Sequence, residues 1–131
     1  DKLGYLDIPL AELYNKKKSG NPGFDFHSQS LDEVIIFGEA KYLDDRNAYG
    51  SGLKQVVRFI SDKKDIKDLA DLRDFCSQNA LSSVSKGMKG FAVAFSAKST
   101  PSDTLVSNII KNKDFISLLQ HQEIIIVAVN I

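Results

Sequence analysis

Apolar residues recur along this chain with two different periods, and the switches between them divide it into elements. Leu53, Val56, Val57 and Ile60 hold the i, i+3, i+4, i+7 spacing of one helix face, predicting a helix over 48–61. A second stripe, Leu69, Leu72, Phe75 and Cys76, predicts another over about 66–79. Upstream, Pro9 suits the first turn of a helix to about residue 18, with Leu10, Leu13 and Tyr14 inward. The run Ser19-Gly20-Asn21-Pro22-Gly23 breaks it. Pro101, Ser102 and Asp103 start helical stretches through Leu119, interrupted near 112–114. Short apolar runs at 90–95 and 123–129 read as buried strands, and two more apolar runs within 23–42 read as a hairpin turning around 28–32. The order is α-β-β-α-α-β-α-β.

The hairpin carries the chemistry. Side chains alternate across a strand, so residues of equal parity share a face. In its second strand Val34, Ile36, Gly38, Ala40 and Tyr42 take one side, and Ile35, Phe37, Glu39 and Lys41 the other. Both sides are apolar over the first half, as in a central strand covered twice. Charge then emerges on one face only, at the end. In the first strand Phe24 and Phe26 are expected on one face, and Asp25 and His27 on the other. Pairing brings Asp25 beside Glu39, and two close carboxylates repel unless a cation sits between them. A hard divalent ion, Mg²⁺ by preference, resolves that conflict. The small Gly38 and Ala40 would let a helix or strand pack closely behind. The alternative is an exposed Glu39–Lys41 ion pair worth little energetically, with Asp25 in a turn.

Composition narrows the classes. With 131 residues, 43% hydrophobic and 26% charged, the chain suits one globular domain with a real core. No run approaches a membrane span and no signal peptide is visible; the single cysteine excludes an internal disulfide, so a reducing cytoplasm is the expected setting. One Cys and two His are too few for a structural zinc cage. Cys76 reads as a small core residue. Seventeen basic and seventeen acidic residues balance, which argues against strong bulk attraction to nucleic acid. The lysine clusters at 16–18, 63–64, 86 with 89, and 111 with 113 read as solvated surface.

Asp25, followed by Glu39-Ala40-Lys41 closing an apolar strand, resembles the PD-(D/E)XK nuclease superfamily, although Phe24 stands where the family name has proline. The resemblance implies a restriction-endonuclease-like core: an α/β fold whose mixed central sheet is flanked by helices. It implies that Asp25 and Glu39 are catalytic and hold Mg²⁺ or Mn²⁺, with the Ala40 carbonyl as a further ligand and Lys41 orienting or deprotonating the attacking water. Glu12, on the first predicted helix, matches an acid that some members direct at the metal. Gln55 and Phe59 resemble a Gln-x-x-x-Tyr motif without its hydroxyl, and Gln55, Lys54 and Arg58 become candidates for nucleic-acid contact. The superfamily usually has one more strand before the acidic pair, which 5–8 would supply only as a very short piece. The chain begins on Asp1 and stops on Ile131 directly after an apolar run. The expectation is therefore a single nuclease-like domain, 1–131, excised from a longer restriction or defence protein. It would act on double-stranded DNA and rely on a partner domain or helicase. The competing expectation is an inactive module that keeps the fold for nucleic-acid or partner binding.

Overall fold

A computed structural model describes residues 6–8, 24–42, 48–97 and 102–129. The predicted helix at 9–18, and Glu12 with it, lie outside these. In chain order the elements are β1 (Leu6–Ile8), β2 (Phe26–Gln29), β3 (Ile35–Lys41), α1 (Ala48–Ser61), α2 (Lys64–Leu72), α3 (Gln78–Ser85), β4 (Gly90–Ser96), α4 (Ser102–Lys111), α5 (Lys113–Leu118) and β5 (Glu123–Val129). The strands form one mixed sheet in the order β1-β2-β3-β4-β5. The first three run antiparallel, while β3, β4 and β5 run parallel. This is the expected α/β architecture, and β3 is its central strand.

Parity along β3 divides the core as the alternation predicts. Ile35 and Phe37 join the larger cluster, which takes residues from all five described helices, including Leu53, Val56, Leu72, Val84, Ile109 and Leu118. Val34 and Ile36 join a smaller cluster on the other face with Ala92, Phe26 and Ile125. Phe24, Phe37 and Phe91 stack at the centre of the helical face, with ring centroids 5.4 to 5.8 Å apart. Such tilted pairs add to the burial energy of the rings.

Three boundaries differ from the sequence reading. Asp25 is not in a strand but in a bend just before β2, and Phe24 and Phe26 consequently fall on opposite faces of the sheet. The hairpin turn lies two residues later than expected: Ser30 N–H donates to Val34 O at 2.9 Å and Ser30 Oγ accepts from Val34 N–H at 3.0 Å. The long helix expected over 66–79 stops at Leu72, and a new helix starts at Gln78. Ser77 caps it, its side chain accepting from Ala80 N–H, while Gln29 Oε1 accepts from Ser77 N–H. Cap and anchor together outweigh the continuing helical stripe. Cys76 thus sits in the turn, still packed against the core, and burial pushes its thiol up to about 11.

The helical layer lies very close to the sheet at Gly52. A Cβ built there would come 2.6 Å from Val93 Cγ1. In an open helix, alanine for glycine stabilises by about 1 kcal/mol. Here the overlap with a stiff β-branched neighbour should reverse the sign. Gly52→Ala is expected to lose about 1–3 kcal/mol in urea unfolding; a gain would show that α1 has room to move away from β4.

Candidate active site

The parallel strands end on the side where β3 carries its charges. Glu39 pairs in register with Val93 and Lys41 with Phe95, so both charged residues lie on the helical face at the carboxyl end of the strand. In open α/β sheets that is the end at which ligands bind. Glu39 is only 5% exposed, whereas Lys41 is partly open to solvent.

Asp25 reaches the same place from the other arm of the hairpin. Its N–H donates to Gly38 O at 2.9 Å, continuing the β2–β3 ladder by one rung past the strand. Its Oδ2 accepts from Ala40 N–H at 3.0 Å. Turned across the end of β3 in this way, the Asp25 carboxylate meets that of Glu39, and the two share a hydrogen bond. The Glu39 carboxyl is pushed up to about 8, first by burial, then by the hydrogen bond to Asp25 and by its charge. Ala40 N–H and the positive charge of Lys41 pull the other way and do not offset this. In the metal-free chain the Glu39 carboxyl therefore holds its proton well above the usual carboxylate range.

The small residue behind the site serves a side chain rather than a second element. The Phe26 ring lies flat against Gly38, in space that any Cβ at 38 would fill. This corrects the expectation that a helix or strand packs there. The ring seals the opposite face of the sheet directly behind Glu39.

Of the sequence candidates, Asp25, Glu39, Ala40 and Lys41 come together. Lys54, Gln55 and Arg58 lie outside the buried stripe of α1, which is Ala48, Gly52, Leu53, Val56 and Phe59. There Arg58 donates to Gln55 Oε1 and stands 5.8 Å from the Phe59 ring centroid. Lys54 is exposed. Among the described residues no group of three or more His, Cys, Asp or Glu side chains is placed to hold an ion.

Two buried carboxylates escaped the sequence reading. Asp68 is 3% exposed and bonds both His27 Nε2, at 2.9 Å, and Phe24 N–H, at 3.3 Å. Asp65 is 1% exposed and pairs with Lys89, a lysine expected in solvent. Beside that pair, the His121 ring meets Phe91 edge-on at 4.8 Å, and burial followed by the Lys89 charge lowers its pKa. The one signal for the two acids is spacing: Asp65, Asp68 and Leu72 sit at i, i+3 and i+7, on one inward stripe.

Comparison with family models, with curated proteins and with solved structures gave no match. Among the described residues no helix is long and apolar enough to cross a membrane.

Proposed function

We propose that this chain is a divalent-metal-dependent nuclease domain of the PD-(D/E)XK type, hydrolysing phosphodiester bonds in DNA. One observation carries the reading: the buried Glu39 carboxyl meets the half-buried Asp25 carboxylate at the carboxyl end of a central strand, with the Lys41 charge two residues on. A buried acid held against a second carboxylate, its ionisation displaced upward, is a destabilising arrangement unless it has a use.

The donor set fits a hard cation, because oxygen ligands carrying two potential negative charges are what Mg²⁺ or Mn²⁺ selects. Asp25, Glu39 and the Ala40 carbonyl would hold it. Bound there, the ion would supply Lewis-acid polarisation of a phosphate and acidification of a water. Asp25 is kept in place by Ala40 N–H, so the ligands need little rearrangement. Glu39 would release its proton to solvent on loading. Lys41, on the same face and partly exposed, would orient the attacking water or balance charge on the phosphate. With a net charge of zero, the chain would depend on a partner module such as a helicase for strong hold on double-stranded DNA. A restriction or antiviral system in a reducing cytoplasm is the setting in which one unpaired cysteine and this chemistry belong together.

The second reading, an inactive nuclease-fold module, draws on the zero net charge and on Phe59 standing where the Gln-x-x-x-Tyr motif has its hydroxyl. Calorimetric titration with Mn²⁺ separates the two. Wild type should show one saturable site, which Asp25→Asn and Glu39→Gln each weaken by at least about tenfold. No binding, or binding indifferent to both substitutions, would favour the inactive module.

A further inference from the structure

The backbone on both sides of Asp25 is held from a distant helix. Phe24 N–H and His27 Nε2 both reach the same oxygen, Asp68 Oδ2, at 3.3 and 2.9 Å, across sequence separations of 44 and 41. All three residues are buried. Between the two anchors lies the bend at Asp25. In a regular strand residues 24 and 27 would point to opposite faces. Here Phe24 stacks on Phe37, and His27 meets the same ring edge-on at 5.6 Å, so both turn to the helical face. The bend allows this, and it also turns the Asp25 carboxylate across the end of β3 onto Ala40 N–H.

The chemistry of the clamp is specific. A buried carboxylate persists only where donors satisfy it. The donors used here are a main-chain N–H on one side of the bend and an imidazole on the other. His27 Nδ1 is buried without a hydrogen-bond partner, so the contact with Asp68 orients the ring. A leucine at 68 could fill the space but could not hold Phe24 N–H.

We infer that Asp68 is a positioning residue: by holding Phe24 and His27 it fixes the bend that aims the Asp25 carboxylate at Ala40 N–H and Glu39. Its consequence for metal binding rests on the nuclease reading, whereas the clamp itself rests on the geometry alone. Asp65 supplies the control. It is equally buried in the same helix, but it answers to Lys89 just before β4.

The test is amide hydrogen exchange of the metal-free chain by NMR, followed by Mn²⁺ titration of the same proteins. In Asp68→Ala the Ala40 amide should exchange at least about tenfold faster relative to Ile35–Phe37 in the same strand. In Asp68→Asn, whose amide oxygen can replace Oδ2, it should stay within about threefold of wild type. Asp65→Ala should move all the β3 amides together. Mn²⁺ affinity should fall about tenfold or more in Asp68→Ala and hold in Asp68→Asn. If Asp68→Ala does not fold, Asp68→Ser takes its place, since the shorter hydroxyl stops short of both partners. Ala40 exchange that changes only in step with the rest of β3 would overturn the inference, as would an unaltered affinity. A wild type that binds no Mn²⁺, with Ala40 still selectively loosened, would refute the nuclease reading and leave the clamp standing.

Discussion

Replacing Glu39 by glutamine is expected to stabilise the metal-free chain and flatten its pH profile. The acid ionises near 4.5 when freely solvated and near 8 in the fold. Between those values the folded chain keeps a proton that the unfolded chain has lost. Folding then takes up a proton, so stability falls as pH rises through this window and levels off above it. Each pH unit of such a shift corresponds to about 1.4 kcal/mol, so the total is on the order of a few kcal/mol. Glutamine cannot ionise, yet its side-chain N–H can donate to Asp25 as the carboxyl proton does. With chelator present, urea unfolding at about pH 5 should separate the two proteins little. At about pH 9 Glu39→Gln should be the more stable by a few kcal/mol. Equal slopes for both proteins would mean that Glu39 is not the group that titrates. Added Mg²⁺ should narrow the gap, because a ligand bound by the native state alone raises its stability by mass action.

The strand pattern was legible where packing alone decides it. β3 shows its two faces in the alternation of Ile35, Phe37 and Glu39 against Val34, Ile36 and Gly38, and the clusters follow that parity. Helix α1 spans the residues that its 3.6-residue period predicts. The break between α2 and α3 was hidden, because Leu69, Leu72, Phe75 and Cys76 continue a helical period through it. What ends α2 is tertiary: Gln29 from β2 holds Ser77 N–H, and Glu33 from the hairpin turn accepts from Ser77 Oγ. Both ties span more than forty residues, which no local window contains.

The site was legible in part for the same reason. Glu39 and Lys41 betray themselves as charges at the end of an apolar strand, and Asp25 as their neighbour across the hairpin. The route by which Asp25 arrives was not. Alternation places it within β2, whereas it lies in a bend held by Asp68, an acid outside the Leu69, Leu72, Phe75 and Cys76 stripe. Its inward stripe becomes meaningful only once the sheet supplies Phe24 and His27 as donors. Lys89 hides likewise among lysines that look solvated until Asp65 is seen buried beside it.

Hydrolysis would give Glu39 and Lys41 separate parts. Under the proposed reading Glu39 would hold a cation that polarises the phosphate, and Lys41 would orient the nucleophile or balance the developing charge. Loss of either should lower the rate by at least about a hundredfold, the usual effect of removing one such group from a preorganised site. Glu39→Ala also relieves the carboxylate conflict, so its inactivity would come in a protein at least as stable as wild type, excluding unfolding as the cause. The direct measurement is Mg²⁺- and Mn²⁺-dependent cleavage of supercoiled and linear double-stranded DNA by wild type, Glu39→Ala and Lys41→Ala. Metal-dependent cutting by wild type that both substitutions abolish is the predicted result; cutting that survives either substitution undiminished would contradict the assignment.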